Sequence, residues 1–338
     1  MNDTTYTYIC SFDPDSSPYF EKDLKHGANS HLLEKLDERS WLCETLEDFR
    51  SPFCLHRFAV QDEWRAEETS IETIAKAHLE LNFQELEDCD YAIQLSANQK
   101  LPWSFGQLIP LWQEHFGLIA KNRNNRKPQR VLSCHFQVNE DRLRLFSGIA
   151  EVNNNLSPWS RGVSRIPREK NSVSRAENKL FEALELVDLP PGKNRRALDL
   201  GAAPGGWSRV LANLGYDVDA IDPAPLHPNL KHHRKIHYHS TTAGVFLKRK
   251  HKPYDLIVCD MKMKSVLAAK FISDYQNSLK ENGFLILTLK LPKGQSCHTD
   301  CHRALNIIRK AYTLVQARQL YFNRQEITVI AKPLHNQI

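Results

Sequence analysis

The chain has 338 residues, 41% hydrophobic and 25% charged, an ordinary globular composition with length for two or three domains. No apolar run nears the roughly 20 residues of a membrane-spanning helix. The start, Met-Asn-Asp-Thr-Thr-Tyr, lacks the basic and apolar segments of a secretory signal, so membrane-spanning and secreted classes are set aside and a cytoplasmic location is expected. The eight cysteines show no framework spacing and read as reduced thiols. Net charge is +5, unevenly spread: residues 1–100 carry 9 Lys/Arg against 21 Asp/Glu, and residues 101–338 carry 36 against 19. Such a basic excess fits a polyanionic partner, nucleic acid being the usual one. A solvated basic surface is the plain alternative.

Residues 1–90 mix acidic and aromatic residues, with strand-like pieces at 6–12 and 58–60 and helical spacing over 68–86. They match no assigned domain type. From Tyr91 the pattern becomes strand (91–96), amphipathic helix (105–116) and two strands (131–138 and 142–149) around Asn139-Glu-Asp, a small α/β module covering 91–152. The basic loop Asn122-Arg-Asn-Asn-Arg-Lys-Pro-Gln-Arg130 suits phosphate contact or plain solvent. Residues 153–173, rich in Asn, Pro and Arg, form a linker or substrate-facing loop.

Residues 174–335 alternate strands and helices as a doubly wound α/β domain does. Helices are expected at 174–187, 206–214, 266–279 and 300–312, with strands at 197–200, 218–221, 235–239, 256–260, 284–290, 318–322 and 327–331. The last two strands have no helix between them, so the final one is expected to run antiparallel at or near a sheet edge.

Strand 197–200 runs into Gly201-Ala-Ala-Pro-Gly-Gly-Trp207, a turn that lets the backbone approach a ligand ahead of a helix N-terminus. It fits neither Gly-x-Gly-x-x-Gly nor a Gly-Lys-Ser/Thr phosphate loop, so a ligand with a sulfonium and a carboxylate suits it better than a pyrophosphate. Asp222 ends the next strand, where a carboxylate can accept ribose hydroxyls; alone it reads as a turn residue before Pro223.

Asp199-Leu-Gly-Ala-Ala-Pro-Gly-Gly-Trp-Ser208 resembles the S-adenosylmethionine loop of the FtsJ-type ribose 2′-O-methyltransferases, with similarity over about residues 153–332. Within that family the chain is most similar to the bacterial 23S ribosomal RNA cytidine 2′-O-methyltransferases (RlmM-like), through Asn153-Asn-Asn, Ser157-Pro, Ser174-Arg and Ala317-Arg-Gln-Leu-Tyr321. The resemblance implies a Rossmann-like methyltransferase sheet, S-adenosylmethionine as methyl donor, RNA as partner and ribosomal RNA as substrate. It also implies a THUMP-like α+β RNA-binding module ahead of the catalytic domain, which 91–149 resembles in pattern. The family's Lys-Asp-Lys-Glu tetrad falls on Lys179, Asp260, Lys290 and Glu326. Cofactor binding is implied for Ser174, Gly201, Ala203, Pro204, Gly205, Gly206, Trp207, Asp222, Thr242 and Asp260. One departure stands out: the family's acidic residue for the adenine amino group is replaced here around Thr241-Thr242, a weaker neutral acceptor.

Asp260 and Lys290 end neighbouring strands, so they converge at the ligand crevice of an open α/β sheet. Glu326 joins them if its strand is antiparallel. Lys179 alone reads as a solvated helix lysine; Ser174 with Glu177 reads as a capping box for its helix. Lys290 is expected to orient or deprotonate the 2′-hydroxyl, and to act as a charged clamp if the carboxylates dominate its surroundings. Cys297-His-Thr-Asp-Cys301-His302 and the histidines of 227–239 lack a completing ligand pair, and no metal is expected. Tyr321, Phe322 and Trp159 are candidates for stacking on bases, with core packing the expected fate of Phe322 and Trp159 expected to be exposed. A catalytically weak RNA-binding or assembly factor keeping this fold is the second reading, opposed by the intact tetrad. A methyltransferase for proteins or small molecules is the third.

Overall fold

The computed structural model describes residues 5–334 apart from 28–29, 46–47, 119–122, 126, 141, 168 and 190. The chain divides into two compact units, Met1–Val163 and Ser164–Ile338. No helix among the described residues is long and apolar enough to cross a membrane, and the eight cysteines are free thiols.

The first unit holds two four-stranded sheets. β1 (Tyr6–Ser11), β2 (Ser30–Lys35), β3 (Ser40–Thr45) and β4 (His56–Ala59) lie in the order β2-β3-β1-β4, all antiparallel. Helix α1 (Ser17–His26) seals this sheet with Phe20, whose ring meets Phe12 and Trp41 at 4.8 and 5.8 Å. The second sheet comprises β5 (Asp62–Ala66), β6 (Tyr91–Ala97), β7 (Arg130–Asn139) and β8 (Arg142–Glu151), ordered β5-β8-β7-β6. β6 and β7 are parallel, so a crossover is required, and α3 (Phe105–His115) supplies it, burying Leu108 and Trp112. The strand, helix and hairpin lie close to their expected bounds, but β5 adds an edge strand from before residue 91. Its Asp62-Glu-Trp-Arg-Ala sequence shows only one large apolar residue, as a charged edge does. Residues 68–86 do not form one helix. Only α2 (Ile71–Ala75) and a 3-10 turn at Phe83–Leu86 appear, because Ala77, Leu79 and Leu81 turn inward every second residue and draw the chain out straight.

Of the basic loop 122–130, Asn122 and Arg126 lie outside the described residues; Arg130 pairs with Glu85. Residues 153–163 are anchored within the first unit rather than loose: Asn155 donates to Ser133 Oγ (2.8 Å) and Arg161 pairs with Asp37 (2.7 Å). Trp159 is accordingly half-buried.

The second unit is a seven-stranded sheet of β9 (Arg196–Leu200), β10 (Asp217–Ile221), β11 (Ile236–His239), β12 (Tyr254–Cys259), β13 (Leu279–Lys290), β14 (Tyr312–Arg318) and β15 (Glu326–Pro333). Their order is β11-β10-β9-β12-β13-β15-β14. The first five are parallel; β15 runs antiparallel to both β13 and β14. β9, β12 and β13 are covered on both faces, so Leu198, Leu256–Val258 and Leu285–Leu287 are buried without alternation, as internal parallel strands require. Helices α4 (Glu177–Leu184) and α5 (Gly206–Asn213) pack their Leu180, Ala183, Val210 and Leu211 on one face of the sheet. Besides α6 (Ala243–Leu247), which the sequence reading did not foresee, α7 (Ser265–Ser273) and α8 (Ser296–Ile308) pack together and against β13 and β14.

Two bounds differ instructively. The strand expected at 318–322 is instead a turn, and β14 ends at Arg318, because the N–H groups of Tyr321 and Phe322 go to the Glu182 carboxylate (2.8 and 2.9 Å) rather than to a neighbouring strand. α8 starts four residues before the expected position, which puts Cys297 and Cys301 on one buried face.

Candidate active site

β9 delivers the glycine-rich turn at its carboxyl end. Gly201 (φ +78°) and Gly205 (φ +101°) adopt the left-handed conformation, which side chains disfavour, and Gly205 caps α5. Asp222, at the end of β10, braces the turn: its Oδ2 accepts the Ala203 N–H at 3.1 Å while Oδ1 accepts Ala224 N–H at 2.8 Å. The turn-forming and the loop-holding roles therefore coincide. Trp207 is buried and donates its indole N–H to the Ala176 carbonyl at 2.7 Å, so its ring joins α5 to the start of α4. Gly206 lies so close that a Cβ there would sit 2.8 Å from Ser174 Cβ. The capping box forms by half. Glu177 Oε1 accepts the Ser174 N–H (3.3 Å), but Ser174 Oγ serves Ala176 N–H (3.1 Å) and the helix begins at Glu177. Glu177 is buried against Arg209 (2.5 Å); burial opposes its ionisation, and the guanidinium outweighs this and holds its carboxyl below the ordinary value.

Asp199 carries a signal that sequence reasoning quoted but gave no role. It is buried beneath the turn and accepts Ser208 Oγ–H at 2.6 Å. Burial pushes its carboxyl up to about 7, with the Asp260 and Asp222 charges adding to the rise. Acidic groups, Asp222 in the turn and Asp199 beneath it, thus stand at a loop that would cradle phosphate in a dinucleotide fold. An anion is repelled there and a cation is favoured, which is the donor-set chemistry of a sulfonium and an ammonium rather than a pyrophosphate. Thr242 follows the third strand of the domain, β11; it is exposed and its hydroxyl accepts Val245 N–H (3.3 Å) as the N-cap of α6.

Four elements bring the tetrad together. Lys179 projects from α4, Asp260 follows β12, Lys290 ends β13 and Glu326 opens β15, whose antiparallel course pairs Glu326 with Lys290 in register. Lys179 Nζ donates to Glu326 Oε2 at 2.6 Å and stands 3.6 Å from Asp260 Oδ2. Lys290 Nζ donates to Asp260 Oδ1, to Glu326 Oε1 (2.9 Å) and to Thr288 Oγ1 (2.8 Å). An ammonium has three protons, and all three are used. Thr288, a residue the sequence reading passed over, also donates to Asp260 Oδ1; its legible signal is a hydroxyl inside an apolar strand, two residues before Lys290 and so on the same face. Burial acts to lower the Lys290 value, yet the Asp260 and Glu326 charges outweigh it, and the net direction is upward. Lys290 is an ammonium at neutral pH.

Residues 172–328, including turn and tetrad, match the family described as FtsJ-like methyltransferase. The second unit is similar to that family over most of its length. Curated relatives include "Ribosomal RNA large subunit methyltransferase M" of Halorhodospira halophila, 34% identical over 61% of this chain and 58% of that protein. The protein of the same name from Azotobacter vinelandii is 33% identical over 54% of each chain. The matched part thus spans a little over half the length of these relatives. Among solved structures, a chain of the fibrillarin/Nop5p complex overlays with TM-score 0.42 at 17% identity, covering 51% of this chain and 92% of that one. Within the matched segment Lys179, Asp260, Lys290 and Glu326 form one cluster of ion pairs.

Proposed function

We propose that this protein transfers a methyl group from S-adenosylmethionine to a ribose 2′-hydroxyl of RNA, and that the RNA is large-subunit ribosomal RNA. The observation that carries the reading is the convergence of Lys179, Asp260, Lys290 and Glu326 at the edge of the sheet that also bears the glycine-rich turn. The relatives' names supply the substrate class. S-adenosylmethionine, when bound, supplies the methyl on a sulfonium that leaves as a neutral thioether. The turn from Gly201 to Trp207, braced by Asp222 and flanked by Asp199 and Ser174, would hold it.

The chain's own work is then to place one oxygen and receive one proton. Of the three acceptors on Lys290, Thr288 is the only neutral one and holds the weakest bond, so a 2′-oxygen takes its place. A charged Lys290 orients that oxygen as a clamp and does not remove its proton. The proton passes to the cluster's carboxylates, Asp260 and Glu326, as the methyl bond forms. Positioning of this sort can supply much of an enzyme's acceleration. The strand, helix and hairpin of 91–152 serve, on the same reading, as the THUMP-like module that holds the RNA.

The test is transfer of labelled methyl to RNA from cells lacking the protein, with the product digested to nucleosides. A 2′-O-methylated nucleoside made by wild type and lost in Lys290→Ala is expected. Labelling on a base, or on protein alone, overturns the reading.

A further inference from the structure

Glu182 and the turn 319–325 have no part in the chemistry above, yet they are fixed beside it. Glu182 is buried on α4, and its two oxygens accept the N–H groups of Tyr321 and Phe322 at 2.8 and 2.9 Å. Three residues earlier Lys179 holds Glu326, so one helix grips both the turn and the first residue of β15 at points about 4.5 Å apart along its axis. Further bonds hold the turn. Asn323 N–H donates to the Leu320 carbonyl (3.0 Å), Gln319 Nε2 to the Arg324 carbonyl (2.8 Å), and the Gln325 carbonyl accepts the N–H of Leu291, next to Lys290 (3.0 Å). The fold keeps an unfavourable group for this purpose: burial raises the Glu182 carboxyl to about 7 despite both N–H bonds. What the turn displays is Tyr321, 42% exposed, with the Phe322 ring 5.2 Å away and nearly perpendicular to it.

A solvent-facing aromatic ring whose backbone is held by a buried carboxylate, in the turn that leads into Glu326, matches the platforms on which unpaired bases stack. Resting on the RNA reading above, we propose that Tyr321 stacks on an unpaired base adjoining the target ribose, with Glu182 as the residue that positions it. The π-face of any base satisfies this contact, so Tyr321 contributes grip on single-stranded RNA rather than sequence choice.

The test uses the full chain with Tyr321→Ala, Tyr321→Leu and Tyr321→Phe, measuring KM for RNA, kcat at saturating RNA and Kd for S-adenosylmethionine. Ala and Leu are expected to raise the RNA KM roughly 5- to 150-fold, the range that loss of one stacked base gives, with cofactor Kd unchanged and Phe close to wild type. If Ala leaves KM unaltered, or Leu matches wild type, stacking is overturned while the transferase reading stands. If wild type methylates no RNA, both fall together. Should Ala lower the melting temperature, the comparison of Leu with Phe decides by itself.

Discussion

Replacing Lys290 by Met removes one cation from a cluster of two lysines and two carboxylates, leaving Lys179 alone against Asp260 and Glu326. Methionine keeps an unbranched apolar stem, so the change is chiefly one of charge. Breaking a buried pair costs ~3–5 kcal/mol. These side chains retain 16–21% of their surface, so solvent screens part of that and about 2–3 kcal/mol remains. For a domain of this size the loss is about 4–12 °C in Tm. It also has a pH signature. Wild-type Lys290, shifted upward, gives its stabilisation in full below the ordinary lysine value and loses it only at strongly alkaline pH, so its contribution is level from pH 5 to 8. Adding Asp260→Asn restores one cation against one carboxylate; most of the stability returns, while transfer stays at least ~100-fold down. Calorimetric unfolding at both pH values and labelled-methyl transfer read these outcomes. An unaltered Tm at pH 8, or a double variant no steadier than the single, refutes the charge-balance argument; a double variant that regains transfer refutes the role of Lys290.

Asp199→Asn tests the buried acid under the turn. Its folded value near 7 lies above the ordinary 3.8, so the native state holds the extra proton and wild type loses stability as pH rises between those values, by about 4 kcal/mol at most. Urea midpoints for the variant minus wild type should therefore rise from pH 5 to 8, and a constant difference contradicts the burial argument. Gly205→Ala forces a side chain into φ +101° at about 1–2 kcal/mol. Because the nearest atom is the end of the Leu230 side chain, the protein still folds and cofactor Kd weakens by about tenfold, measurable by titration calorimetry. In Asp222→Asn one of the two N–H groups held by the carboxylate loses its acceptor, costing about 1 kcal/mol and several-fold in cofactor Kd; an unchanged Kd counts against Asp222 as the brace of the turn.

The legible parts of the sequence were those where one physical demand governs each residue. Buried parallel strands such as Leu285–Leu287 must be apolar throughout, so their ends, and with them Asp260 and Lys290, could be placed from spacing alone. The turn at 319–325 was misplaced because Gln-Leu-Tyr-Phe carries strand propensity, and only tertiary structure shows that Glu182 takes its N–H groups. Glu182 and Thr288 were invisible as parts of the site for the same reason: a helix carboxylate and a strand hydroxyl look solvated or incidental until their partners are known. β5 escaped notice because an edge strand is charged by design against pairing.

The insertion of β15 between β13 and β14 bears on how the molecule matures during synthesis. Residues are made from the N-terminus onward, and the strand that emerges last of the seven pairs with β13 and gives β14 its neighbour in the sheet, carrying Glu326 into register with Lys290. Until it does, two lysines face a single carboxylate and the ring of charges is open. A ribosome-bound chain that has folded as far as β13 would thus hold every residue of the glycine-rich turn and, on the reading proposed above, still lack the fourth member of the charged cluster until β15 pairs.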